Sequence, residues 1–382
     1  MKRRIAFLST VHGHEWPGSE YLWADTARGL LDGGSAVFAR MSRDFLPAPA
    51  VASLRDAGLA VDPYTLKGGL GSRLRARLAD PFSALDAFRP DLLVVSAGSA
   101  FDVAYQPALA RRLADPKVPF ILIIHFNAET FWVDDALRET MRGVFRRAAA
   151  VVFVSADNRR ITERQLAMTV PRARVIRPPL PLQLEEPVPW PRFDDDAVRL
   201  ACVARLDTRW KGQDVLFEAL AGDAWSRRDW KLTLYGEGGE QAYLERLAEH
   251  YGLAGRVRFA GFVCDRARIW AENHLQVFPT RGEGGPMVLT EGMSAGRIAV
   301  ITACGNAAEY VDDGVDGFLA GFATPAVFAE AMERAWAVRD QWREMGERAH
   351  RKMRQMACRP PHQELMELID SLPPAAAGND PS

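Results

Sequence analysis

The stretch Leu275-Gln-Val-Phe278-Pro-Thr-Arg-Gly-Glu283-Gly-Gly-Pro286-Met-Val-Leu-Thr-Glu291-Gly-Met293 reads as an apolar strand, a glycine-rich turn and a helix. Pro286 suits the first helical turn, where no amide donor is needed. Gly284 and Gly285 permit a close backbone approach. The free amides of that turn, around Pro286, Met287 and Val288, would favour a phosphate or a sugar hydroxyl. Glu283 lies in the loop, and Glu291 lies on the helix about 1.5 turns in from Pro286. Two carboxylates at the mouth of a strand–helix turn can each accept from vicinal hydroxyls. Read without a ligand, they are a solvated capping glutamate and an ordinary helical one.

Working outward, the same alternation of apolar run and amphipathic stretch fills the second half. Strands are expected at 197–204, 230–235, 256–260, 275–278, 298–302 and 317–320. Helices are expected at 212–221, 239–252, 287–296 and 324–347. The first half repeats the architecture without repeating the sequence. Its expected strands are 4–9, 35–40, 91–96, 119–124, 150–154 and 173–177, with helices such as 19–31, 71–88 and 132–148 between them. Strands separated by helices imply right-handed crossovers and a parallel sheet. Uninterrupted apolar runs such as Phe120–Ile124 suit strands covered on both faces. Between the halves, residues 178–191 hold six prolines. Proline lacks an amide donor and fixes φ, so this stretch reads as an extended linker. The expected fold class is therefore α/β, with two doubly wound Rossmann-like domains facing across a cleft. Residues 1–177 form the first domain, 178–197 the hinge and 198–358 the second domain. A C-terminal helix at 359–373 returns to the first domain, and 374–382 is a disordered tail.

Bulk properties agree with an ordinary globular chain. The 382 residues are 48% hydrophobic and 25% charged, with a net charge of −1 that does not suggest nucleic acid. The first 190 residues are net positive and the rest net negative. That asymmetry suits an anionic acceptor or a peripheral contact with the inner face of a membrane, as readily as it suits chance. Cys202, Cys264, Cys304 and Cys358 are far apart and read as reduced cytosolic thiols. The apolar run after Lys2-Arg3-Arg4 is too short for a signal peptide, and no run approaches the ~20 residues of a membrane span. A cytoplasmic protein is expected.

A second polar segment, Cys202-Val-Ala-Arg205-Leu-Asp-Thr-Arg-Trp-Lys211-Gly212, also follows a strand and precedes a helix. Arg205 and Lys211 stand at the strand's carboxyl end, where both cations can neutralise a phosphate. Alone, such a pair reads as surface charge. The segments together resemble family 4 of the retaining glycosyltransferases, which has the GT-B fold. The resemblance runs through Arg205 to Gly212, Leu232-Thr-Leu-Tyr-Gly236-Glu-Gly238, Val257-Arg-Phe-Ala-Gly261-Phe-Val263, and Glu283, seven residues, Glu291. In the first half, Gly18-Ser19-Glu20 and His125 resemble the family more loosely.

The resemblance implies a role for each of these positions. Arg205 and Lys211 would hold the diphosphate, Glu291 the ribose hydroxyls and Glu283 the transferred sugar. Amides around Gly285, Pro286, Met287 and Val288 would complete that site, while Val263, Asp265 and Arg268 would flank the base. His125 would approach the anomeric carbon, and Gly18 would bring the first strand's loop close to the donor. The implied function is retaining transfer of a sugar from a nucleotide diphosphate sugar to a glycan or lipid-linked acceptor, in envelope polysaccharide or glycolipid synthesis, with no metal and no cofactor. An epimerase or hydrolase of the same fold, or a nucleotide-sugar-binding protein without turnover, remains open. Gly292 and Arg297 depart from the family, which has Ala and Pro there, as does Ile176-Arg177-Pro178-Pro179 in place of an Asn-Gly turn.

Other residues read more simply. His125 alone reads as a core histidine. His12 and His14 have a metal pair's spacing but no third ligand. Asp194-Asp-Asp196 reads as solvated charge before a strand, and Gly68-Gly-Leu-Gly71 follows no strand. The arginines around 73–77 and 142–147 lie on expected helices facing water or lipid.

Overall fold

A computed structural model describes residues 2–13, 15–65, 80–180, 184–193 and 195–373. The expected tail at 374–382, the glycines at 68–71, the arginines at 73–77, His14 and Asp194 lie outside them. The chain divides into two compact units, Met1–Pro179 with Arg359–Ser382, and Leu180–Cys358.

The first unit is built on parallel strands β1 (Arg4–Ser9), β2 (Ala36–Ser42), β3 (Ala60–Tyr64), β4 (Leu92–Ala97), β5 (Phe120–Ile124), β6 (Ala150–Phe153) and β7 (Ala173–Val175). Their order is β3-β2-β1-β4-β5-β6-β7. All of β4, β5 and β6 is buried, as the unbroken apolar runs require. Strand β3 was not expected from the sequence, because Asp62 and Pro63 interrupt its pattern. It is the outermost described strand on its side, where a missing amide hydrogen is tolerated. The helix Pro361–Ser371 packs on the helix Glu20–Asp32, burying Leu365 and Ile369 in this unit's core. Arg3 anchors its end by donating from Nη1 to the carbonyls of Ile369 and Leu372 at 2.6 and 3.1 Å.

The second unit holds β8 (Val198–Val203), β9 (Trp230–Tyr235), β10 (Val257–Phe259), β11 (Leu275–Phe278), β12 (Ile298–Thr302) and β13 (Phe318–Ala320), in the order β10-β9-β8-β11-β12-β13. Each lies within or at the expected range. The helix expected at 324–347 is instead two helices, Pro325–Ala337 and Trp342–Ala357. The break lets the buried Trp342 fold back, and its indole Nε1 donates to the Ala335 carbonyl at 2.8 Å. The stretch 71–88 keeps helix over Ser83–Phe88, with 71–79 outside the described residues. The helix expected at 132–148 starts at Asp135, where Asp134 caps it by accepting from the Leu137 amide at 2.8 Å.

Within the proline-rich segment, expected as an extended linker, the stretch from Glu185 to Pro189 straps onto the second unit. Prolines cannot donate, but their neighbours' carbonyls still need partners. Arg297, 1% exposed, supplies them. It donates to the carbonyls of Val188 and Pro189 at 3.2 and 2.6 Å, and to those of Ala295, Gly296, Trp270 and Asn273 at 2.9–3.2 Å. Its guanidinium also lies 5.1 Å from the Trp190 ring centroid. Burial pulls Arg297 down to about 10, which leaves it charged at neutral pH. His350 fastens the strap further along, through Ser294 and Glu185 carbonyls at 2.6 and 3.3 Å. The departure from the family at this position thus has a structural use.

Removing Arg297 would orphan several buried carbonyls, each costly without a donor. Arg297→Ala should lower unfolding free energy by about 3 kcal/mol or more, read by urea titration of tryptophan fluorescence. A change under about 1 kcal/mol would show that the strap is not held this way.

Candidate functional site

In the second unit the segments following β8, β9 and β11 converge at the carboxyl ends of the strands. Gly236 has φ +139°, and a Cβ there would fall 2.2 Å from the Ala204 carbonyl oxygen. That contact seats the turn after β8 against β9, where the Leu206 amide donates to the Glu237 carbonyl at 3.0 Å. Gly212 has φ +65°, and its Cβ would lie 2.0 Å from the Pro279 carbonyl oxygen. The short helix Thr208–Lys211 is therefore pressed onto the end of β11. Two hydrogen bonds to the Trp210 carbonyl hold it there, from Thr280 Oγ1 and the Arg281 amide, both 2.8 Å. Arg281 forks onto Asp214 with two bonds of 2.7 Å. Neither Thr280 nor this pair stood out in the sequence.

The docking aims Lys211 at Glu283, and the ammonium and carboxylate form an ion pair. Thr280 Oγ1 also lies 3.3 Å from the same Glu283 oxygen. A pocket of about 250 Å³ surrounds the pair, floored by Val203, Phe278 and Ile301. Arg205, Lys211, Glu283, Gly285, Pro286, Met287 and Val288 line it together. Arg205 is half exposed and ion-paired with Asp207 at 3.1 Å. The helix runs Met287–Ser294 with Pro286 as its N-cap. Leu289 already donates to the Pro286 carbonyl at 3.0 Å, so the earlier amides of the turn are those available to a ligand.

The remaining second-unit candidates stand outside that lining. Glu291 is 2% exposed and ion-paired with Arg266, a residue the sequence reading passed over. Val263 packs half-buried on the core. Asp265 accepts from the Arg268 amide at 3.0 Å and caps the helix Arg266–Ala271. Arg268 reaches its neighbour Glu272 at 2.8 Å and is mostly exposed. Local contacts thus engage both Asp265 and Arg268. Asp195, read as solvated charge, is tied to Arg199 and Lys231 at 2.8 and 2.7 Å.

The first unit gathers its own polar groups where β1, β3, β4 and β5 end. His125 follows β5, is buried, and meets Ser96 Oγ through Nε2 at 2.9 Å. Burial pushes it down to about 4, so it is neutral at neutral pH. Gly18 precedes the helix whose first residue, Glu20, is fully buried. Trp23 Nε1 and Ser19 Oγ donate to the Glu20 carboxylate at 2.7 and 3.0 Å. Burial nevertheless raises Glu20 to about 7, against the lowering by these bonds and Ser9. Asp102 accepts from Thr10 at 2.9 Å, and Tyr64 on β3 donates to the Ser9 carbonyl at 2.9 Å. His12 Nδ1 rests 3.2 Å from the Thr10 carbonyl. Among the described residues no three His, Cys, Asp or Glu side chains are grouped as metal ligands, and no helix is long and apolar enough to cross a membrane.

Residues 197–337 match the model of the family described as Glycosyl transferases group 1. The likeness to that family runs from the first strand of the second unit to the helix Pro325–Ala337. The chain is 32% identical over 123 residues to an exopolysaccharide phosphotransferase of Streptomyces coelicolor, covering 32% of this chain and 13% of that one. It is 30% identical over 152 residues to the D-rhamnosyltransferase WbpZ of Pseudomonas aeruginosa, covering 38% of each. The chain thus spans well under half the length of these relatives. Among solved structures, Anabaena HepE in complex with UDP-glucose superposes with a TM-score of 0.73 at 20% identity, over 97% of this chain and 100% of that one. That likeness concerns the fold, and the two Rossmann-like units are those of the GT-B fold.

The buried Glu20 makes the first unit's stability pH-dependent in a defined direction. Its raised folded value means its contribution is complete below its unfolded value of 4.5 and is lost as pH rises through about 7. Glu20→Gln cannot titrate. Its stability relative to wild type should therefore improve between about pH 5 and pH 8, by up to roughly 3 kcal/mol. Denaturant unfolding at both pH values measures this, and a difference that is flat or of opposite sign would contradict the burial argument.

Proposed function

We propose that the protein transfers a sugar from a nucleotide diphosphate sugar to a glycan or lipid-linked acceptor, with retention of anomeric configuration and without a metal ion. The observation that carries this reading is the single pocket holding Arg205, Lys211, Glu283 and the first turn of the helix Met287–Ser294. Cations and free amides suit a diphosphate, and a carboxylate beside them suits sugar hydroxyls. The likeness to the group 1 family and the relatives named for exopolysaccharide and rhamnosyl transfer support an envelope polysaccharide or glycolipid product. UDP-sugars are the first donors to test, since the matched HepE structure holds UDP-glucose.

In this mechanism the bond from the anomeric carbon to the diphosphate loosens first. Negative charge grows on the leaving phosphate, and positive charge grows on the sugar. Arg205, Lys211 and the amides of Met287 and Val288 would stabilise the phosphate from positions set in advance. Glu283, paired with Lys211, would turn to the sugar hydroxyls as Lys211 turns to phosphate. A leaving phosphate oxygen would then take the acceptor's proton on the face it departs from. No carboxylate base is required, which separates this route from two-carboxylate glycoside chemistry.

Arg205→Ala and Lys211→Ala should each slow transfer by about 100-fold or more while the protein stays folded. Transfer should persist in EDTA, and the product's anomeric proton coupling by NMR should match the donor's. Near-normal rates with both cations removed would place the diphosphate elsewhere. Loss in EDTA restored by Mg²⁺ or Mn²⁺ would remove the metal-free route, and an inverted product would remove the same-face step.

A further inference from the structure

The pocket accounts for Arg205, Lys211 and Glu283 but leaves Arg266 unexplained. Glu291 sits on the helix whose first turn lines the pocket, yet only 2% of it is exposed. A carboxylate so buried needs a cation or several donors. Arg266 supplies the cation, with Nη1 paired to Glu291 Oε1, while its own side chain remains 43% exposed. The guanidinium is presented by a well-anchored element. Asp265 caps the helix Arg266–Ala271, and Ile269 and Trp270 bury its other face.

We infer that Arg266 is a positioning residue for the nucleotide, holding the Glu291 carboxylate charged and oriented for the ribose diol. The inference rests on the reading of Glu291 as the ribose ligand. A carboxylate offers about four lone-pair sites on two oxygens, so a single guanidinium contact leaves acceptors for two hydroxyls. The permanently charged guanidinium meets one of the two carboxylate oxygens, Oε1, so the positive charge is what a lysine could also supply. Hydroxyls bonding to a charged acceptor are held about twice as strongly as by a neutral one. Arg266 therefore strengthens the grip on ribose without touching it. It is not among the residues lining the pocket, which argues against a direct hold on the diphosphate.

The test is calorimetry with UDP, ADP and GDP on the full chain. For whichever binds wild type, Arg266→Gln should weaken affinity by roughly 10-fold, and Arg266→Lys should restore it to within about 3-fold. Glu291→Gln should also weaken binding, and adding Arg266→Gln to it should cost nothing further. The 2′,3′-dideoxy nucleoside diphosphate, lacking the diol, should bind wild type and Arg266→Gln alike. Wild-type affinity in Arg266→Gln would overturn the inference. So would an equal loss in the Glu291→Gln background or with the dideoxy ligand, since Arg266 would then act on the phosphates or on the fold. Wild-type affinity in Glu291→Gln would instead overturn the ribose reading beneath it. Should Arg266→Gln fail to fold, Arg266→Met, which keeps the stem's packing, gives the same comparison.

Discussion

The site depends on backbone approaching backbone more closely than any side chain would allow. In a parallel sheet every strand delivers its following segment to the same end. Here β8 and β11 are neighbours although far apart in sequence, with Leu200 paired to Leu275. The order of strands reverses there, the place where α/β sheets bind ligands. Adjacent strands alone would only bring two loops near each other. Gly212 against Pro279 and Gly236 against Ala204 lock them into one piece. At both positions the backbone has a positive φ and a Cβ would collide with a carbonyl oxygen. These contacts bring the backbones that carry Lys211 and Glu283 close enough for the two side chains to pair.

Charge is buried in this chain by three different means. Arg297 is enclosed by carbonyls and serves as a fastener for the proline strap. Lys211 with Glu283, and Arg266 with Glu291, are buried or half-buried ion pairs. Such pairs contribute little net stability, because desolvation offsets attraction. Their use is to hold donors and acceptors ready for a ligand that would compete for them. Among the described residues, Glu20 and His125 have no ion-pair partner, and burial moves both toward neutrality. The second unit's pocket is thus lined by a paired lysine and glutamate, while the first unit buries a histidine and a glutamate that burial shifts toward their neutral forms.

Much of this was legible in the sequence. Strand positions in both units followed from apolar runs, since strands covered on two faces leave an unambiguous pattern. The pocket's cations, Glu283 and the helix start were visible because each sits beside a strand end or a proline–glycine signal. Strand β3 was missed because an edge position tolerates the Asp62-Pro63 that would disqualify an inner one. The break between Ala337 and Trp342 was missed because a helical period survives it, and only the burial of Trp342 demands it. The strap's anchoring was not legible, because composition reports what prolines cannot donate and says nothing of the Val188 and Pro189 carbonyls that Arg297 donates to. Arg266 carried no local signal at all, since its partner lies on another helix. Asp265 and Arg268, chosen by motif, are engaged in capping and in a neighbouring ion pair.

The central claim is that the transferred sugar, and not the nucleotide, sits at Glu283 beside the diphosphate held by Lys211. Calorimetry of bare nucleoside diphosphate on Glu283→Gln, run beside transfer kinetics with the sugar donor, tests it most directly. Freed from its ion pair, Lys211 should hold the diphosphate at least as well as before. Affinity should then be unchanged or higher, while kcat falls by about 100-fold, because the lost contact matters most as the bond breaks. A parallel loss of nucleoside diphosphate affinity, or full turnover with affinity intact, would contradict the placement of the sugar in this pocket.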